Sequence, residues 1–125
     1  RQVKQGEVSK ISMAVRDCLD PEDFFTLIDK VLFGPQTSGV FNVSTGMGHS
    51  IDEIHTLVCD HLGVTGRTEI VPIADSDVPA IVLDSRKAQQ AFGWTPTTSF
   101  EDSVTNLLNW YDIHGVGTTY SHHRN

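Results

Sequence analysis

Val40-Phe41-Asn42-Val43-Ser44-Thr45-Gly46-Met47-Gly48-His49-Ser50-Ile51-Asp52-Glu53 is the stretch on which the fold turns. Val40 to Ser44 is a compact apolar run of strand length bounded by Gly39 and Gly46, and it reads as a buried strand. Ser50 with Glu53 three residues on forms a capping box, after which Ile51, Ile54, Leu57, Val58 and Leu62 recur at helical spacing until Gly63. Strand, glycine turn and capped helix in that order make one βα unit. Such a turn can cradle a phosphate on backbone N–H groups. Here, however, Ile51 stands at the third glycine of a dinucleotide fingerprint, and no acid follows at the end of a next strand to hold a ribose. A plain tight connection is the preferred reading.

Upstream, Ile11 to Val15 reads as a short strand. Asp20 can cap the helix that follows, Pro21 suits its first position, and Glu22 and Asp23 favour its positive end. The helix is expected to reach about Phe33, stopped by Gly34-Pro35. Downstream, Thr68 to Ile73 and Ile81 to Leu83 read as extended runs, and Ser85 to Phe92 as a short helix ended by Gly93. Ser99 with Asp102 opens a last helix, whose Phe100, Val104, Leu107, Leu108 and Tyr111 share a face up to His114. Alternating strands and helices make the fold class α/β. Residues 1–115 are expected to form one domain and 116–125 a flexible tail.

A chain of 125 residues can bury a core without a disulfide or metal staple. Nine Lys and Arg against 16 Asp and Glu give a net charge of −7, and no Lys or Arg occurs from Val31 to Gly66 or from Ala88 to His123. Nucleic acid and anionic membranes, which need a dense cationic face, are therefore not expected as partners. No apolar run is long enough for a transmembrane helix and no signal peptide is legible, so a cytoplasmic protein is expected. Cys18 and Cys59 form no CxxC pair and read as reduced, buried or neutral thiols. The first residue is Arg1 rather than Met, which points to a processed or excised portion.

With so few cations, Arg16, Arg67, Arg86 and Lys87 are the groups to follow for any anion. Arg16-Asp17 lies between a strand and a capped helix, where the Arg can fork onto a phosphate while the Asp fixes the turn; a surface salt bridge is the equal alternative. Asp77, in a loop, is free to accept from a hydroxyl, whereas Asp84 and Ser85 most simply cap a helix. Trp94 and Trp110 read as core. His55 and His61 are six apart, not four, so no metal site is expected. Tyr111 and Tyr120 are followed four residues later by Gly115 and Arg124, so no Tyr-xxx-Lys pair exists and no catalytic residue is assigned.

Six segments in order resemble the C-terminal region of the NAD-dependent sugar-nucleotide epimerases and dehydratases, the extended short-chain dehydrogenase/reductase family. Arg16 to Asp23 is similar to the family's Arg-Asp-aromatic-x-x-Val-x-Asp, with Cys18 at the aromatic position, and Val40 to Gly46 is similar to its last Rossmann strand. Asp77-Val78-Pro79, Asp84-Ser85-Arg86-Lys87-Ala88, Phe92-Gly93-Trp94-Thr95-Pro96 with Ser99 to Asp102, and Trp110-Tyr111 complete the set. The resemblance implies a small mixed sheet with about four helices: the family's substrate-binding lobe plus the last strand of its Rossmann sheet.

It also implies a nucleoside-diphosphate sugar as ligand, with Arg16 on the diphosphate and Asp77 on the nucleotide ribose. Asp75 stands near where the family often carries a second phosphate arginine, so weak binding is expected. NAD is implied for the full-length family but not for this chain, which lacks the glycine-rich loop. The chain is expected to be the non-catalytic sugar-nucleotide-binding part of such an enzyme, or a free-standing binding or assembly module derived from it. Its expected partner is the missing N-terminal half or a second copy in a homodimer.

Overall fold

The computed structural model describes residues 1–115; the tail expected at 116–125 lies outside the described residues. In chain order the elements are β1 (Val8–Ile11), β2 (Val15–Arg16), α1 (Pro21–Phe33), β3 (His49–Ser50), α2 (Ile51–Leu62), β4 (Arg67–Ile70), β5 (Ala80–Ile81), α3 (Arg86–Phe92) and α4 (Phe100–His114). The fold is α/β with four helices and short mixed sheets. β1 pairs with β4 in parallel, from Val8↔Arg67 to Ile11↔Ile70. β2 lies between β3, antiparallel to it, and β5, parallel to it.

The helices begin and end where local chemistry dictates. Asp20 accepts the amide of Glu22 at 2.9 Å, Ser50 and Glu53 close the reciprocal capping box, and Ser99 accepts the amide of Asp102 at 3.0 Å. The strands depart from expectation because pairing decides them. The run Ile11 to Val15 is split between two neighbours: Ile11 O accepts Val71 N on the β4 side, whereas Val15 N donates to Pro79 O on the β5 side. The later extended runs shorten to the residues that find a partner.

Val40 to Ser44 is not a strand among the described residues. No neighbour completes its backbone bonds, and side chains hold it instead. Lys87 Nζ donates to Val40 O at 2.9 Å, Asn42 Nδ2 to Asp84 O at 3.4 Å and Ser44 Oγ to Leu83 O at 2.9 Å. Val40 is 87% exposed, which corrects its expected burial.

Ile11, Ala14, Leu27, Cys59, Ala88, Trp94 and Phe100 form the buried core. Trp94 belongs to it as expected, with Nε1 donating to Asp23 O at 2.9 Å. Trp110 does not: it is 51% exposed, on the rim of a groove between α2 and α4 that no other described element fills.

Asp23, on the first turn of α1, is buried with a charge that the connection into α4 satisfies. Oδ1 accepts Thr97 N at 2.9 Å and Thr97 Oγ1 at 3.0 Å, and Oδ2 accepts Thr98 N at 2.9 Å. Burial alone would push this carboxyl up, but the Thr97 and Thr98 bonds outweigh it and hold it below the ordinary carboxylate range. A carboxyl lowered on folding stabilises fully above its unfolded value, near pH ~4, and that contribution fades as pH falls through the folded value. Asp23→Asn is expected to cost about 1.5–3 kcal/mol at neutral pH, since the amide offers a donor to Thr98 N in place of an acceptor. Urea denaturation should show this deficit shrinking as pH is lowered below about 4.

Candidate functional site

In an extended backbone consecutive side chains leave on opposite faces, and Arg16 at the end of β2 is thereby parted from Asp17, whose N–H still donates to Ile81 O at 3.0 Å. Arg16 leaves on one face. Its Nη1 donates to Val15 O and to Val78 O, both at 2.8 Å, and Nη2 donates to Asp77 Oδ1 at 2.6 Å. The Arg16 side chain is 27% exposed and that of Asp77 47%. Asp77 is presented by a turn in which its amide donates to Ala74 O at 2.8 Å, and its Oδ1 also accepts Val78 N at 2.9 Å. Three of the five guanidinium donors are thus used, leaving Nε–H and one Nη2–H. Asp77 Oδ2 takes no bond among the described residues. The structure therefore joins the two expected site residues into one cluster, with donors on one partner and an acceptor on the other still available.

Asp17 leaves on the other face and shapes the glycine turn. Its Oδ1 accepts Thr45 N at 2.9 Å and Thr45 Oγ1 at 2.6 Å, and its Oδ2 accepts Gly46 N at 2.9 Å. A carboxylate of this chain occupies the amides that a cofactor phosphate would need, so the turn does not fit that group.

The other cations serve elsewhere. Arg67 Nη2 donates to Gly6 O at 3.3 Å. Lys87 Nζ lies 4.6 Å from the centre of the Phe41 ring while bonding Val40 O. Arg86 is an exposed partner of Asp84, with Nη2 2.6 Å from Oδ2. Bonds from the Arg86 guanidinium and its backbone N–H lower Asp84 to about 2. Asp84 caps α3 by accepting Arg86 N at 3.0 Å, whereas Ser85, also expected as a cap, makes no side-chain cap bond.

His49 is a neighbour that sequence reasoning missed. The register sets it directly across from Arg16, on the same face. Its ring stacks on Phe100 at 3.7 Å and 4°, and Nδ1 is buried without a hydrogen-bond partner, 3.6 Å from Glu53 Oε1. With Cys18, Thr45, Met47, Thr98 and Phe100 it lines a recess of about 240 Å³. Burial, then the charge of Asp17, pushes the Cys18 thiol up, which favours its neutral form. Both cysteines are free, Cys59 buried and Cys18 partly so.

No family model matches the chain. Among curated proteins it is 33% identical to the UDP-glucose 4-epimerase of Halalkalibacterium halodurans over 81 residues, 64% of this chain and 24% of that one. To the CDP-paratose 2-epimerase of Salmonella typhi it is 28% identical over 111 residues, 86% of this chain and 33% of that one. The chain thus spans a third or less of these relatives' length. Among solved structures, the Bordetella bronchiseptica enzyme WbmG in complex with NAD and UDP superposes with a TM-score of 0.88 and 41% identity, over 98% of this chain and 40% of that one. The Thermus thermophilus UDP-glucose 4-epimerase complex with NAD shares the fold, with a TM-score of 0.77 and 24% identity over 89% of this chain and 37% of that one.

The three bonds to Asp17 generate a direct test. Asp17→Asn is expected to destabilise the chain by about 1.5–3 kcal/mol. Hydrogen exchange should speed up at the Thr45 and Gly46 amides first, and uniform acceleration across α2 and α4 would contradict a local role.

Proposed function

We propose that this chain, whose homologues are NAD-dependent epimerases and dehydratases and which corresponds to the C-terminal region of an extended short-chain dehydrogenase/reductase, is the part of such an enzyme that holds the sugar nucleotide. The observation that carries this reading is the 41% identity over 98% of the chain to an enzyme solved with UDP. The Arg16–Asp77 cluster supplies the chemistry. The free Nε–H and Nη2–H of Arg16 offer charge-assisted donors to a diphosphate, and Asp77 Oδ2 offers an acceptor to ribose hydroxyls. The bonds to Val15 O and Val78 O pre-orient the guanidinium, so little side-chain freedom is lost when a ligand arrives. Asp75 nearby in sequence opposes an anion, and binding is weak.

In this reading the redox step belongs to the rest of the enzyme. There NAD would supply the hydride-transfer chemistry at a sugar carbon. This chain contributes the grip on the nucleotide that places the sugar. It also brings surfaces for that remainder, or for a second copy, to cover: the unpaired segment Val40 to Ser44, and on α1 the exposed Phe25 at 57%, Leu32 at 66% and Phe33 at 85%.

Titration calorimetry with UDP tests the reading. The wild-type chain is expected to bind weakly, and Arg16→Ala to bind roughly ten- to a hundredfold less tightly, the equivalent of about 1.5–3 kcal/mol. NAD is expected to give no binding heat. Equal UDP affinity in both proteins would remove Arg16 from the site, and tight NAD binding would overturn the division of labour.

A further inference from the structure

His49 is the titratable neighbour of the Arg16–Asp77 cluster. As the register partner of Arg16 it shares one face of the sheet with it, an arrangement that sets the two Cβ atoms about 4.5–5.5 Å apart. The His49 side chain is only 17% exposed and is held on two sides. Its ring lies flat on that of Phe100, the ring centres 3.7 Å apart, and its buried Nδ1 faces Glu53 Oε1 at 3.6 Å with no hydrogen-bond partner. The other oxygen of Glu53 accepts Ser50 N and Ser50 Oγ. These bonds hold the carboxyl below its ordinary range, so it remains an anion wherever an imidazole titrates. Oε1 itself takes no hydrogen bond among the described residues and is turned toward the ring.

The other charges around the ring come from few elements. The β2 segment brings Arg16, already paired with Asp77, Cys18, whose thiol favours its neutral form, and Asp17, whose carboxylate is turned to the other face and taken by Thr45 and Gly46. From α4 comes Phe100, with Glu101 and Asp102 exposed on the same first turn, and the residues before it, Pro96 to Ser99, carry no charge. The ring also stands just before the first turn of α2, at the positive end of that helix. Arg16 and the helix end oppose a further cation on the ring, and Glu53 favours one. A diphosphate held by Arg16 adds negative charge on the same face and tips this balance toward the imidazolium. We propose that His49 takes up a proton when a nucleoside-diphosphate sugar binds beside Arg16, and so supplies the second cation of the site. The inference rests on the ligand reading above and adds to it a coupling to pH. Binding that takes up a proton tightens as pH falls through the imidazole range, and levels off on either side of it. One added charge within about 10 Å of the diphosphate, in a partly exposed site, is expected to change affinity about threefold to tenfold.

Calorimetric titration of the 125-residue chain with UDP-glucose between about pH 5.5 and 8 is the test. Both ends of that diphosphate are esterified, so the probe lacks the terminal-phosphate ionisation near pH ~6 that UDP itself would add. Affinity is expected to be about threefold to tenfold higher at the acid end of this range. Proton uptake on binding is expected near pH ~6.5, read from the dependence of the binding heat on the ionisation enthalpy of the buffer. His49→Phe keeps a ring against Phe100 but carries no proton: uptake should vanish and affinity should be level with pH. Glu53→Gln keeps an acceptor for Ser50 N and removes the counter-charge, so the rise in affinity should move to lower pH. Wild-type binding that is level with pH, or the same rise and the same uptake in His49→Phe, overturns the coupling and leaves the ligand reading standing. Absence of binding by the wild-type chain at every pH overturns both.

Discussion

The alternation of side chains at Arg16, the last residue of β2, and Asp17, which continues its extended path, is the constraint from which the rest follows. Through one residue the strand captures the loop carrying Asp77, 61 positions away, and through the next it captures the Thr45–Gly46 turn. Both captures use charge-assisted bonds, worth more than neutral ones and directional enough to fix loops that have little apolar surface of their own. The turn fixed by Asp17 sets the start of β3, and β3 brings His49 to face Arg16. A slip of one residue would exchange the two faces, placing the carboxylate against Val78 O and the guanidinium against the amides of Thr45 and Gly46.

Asp23 plays a similar part for the helices. Its carboxylate joins the first turn of α1 to Thr97 and Thr98, and its backbone oxygen accepts the indole N–H of Trp94. One buried acid with every bond satisfied therefore orients α1 against the connection between α3 and α4. The apolar side chains of α1 that point elsewhere, Phe25, Leu32 and Phe33, have no such partner among the described residues. The lobe is well determined around β2 and Asp23 and bare on its flanks.

What was legible in the sequence was local. The limits of α1, α2 and α4 follow from caps whose partners lie within three residues. Arg16 and Asp77 stand out by their positions in the sequence, the resemblance implies their roles, and the structure brings the two side chains together. The unread parts were long-range. Val40 to Ser44 has the composition of a buried strand, but among the described residues no backbone pairs with it, and side chains hold it against Leu83 and Asp84 instead. Trp110 shares a helical face with core residues but lies where that face meets the open groove. His49 and the Asp23–Thr97 contact carry no local signature, because register and tertiary packing create them.

We propose that the bare flanks of this lobe are covered by the rest of the enzyme or, in the isolated chain, by a second copy. Light scattering of the purified chain over a wide concentration range, at moderate salt to screen the net charge of −7, tests it most directly. The account predicts a mass that climbs with concentration from 13.8 kDa toward twice that value, as the α1 face and the unpaired segment find a second copy. A monodisperse 13.8 kDa species at every concentration would contradict it.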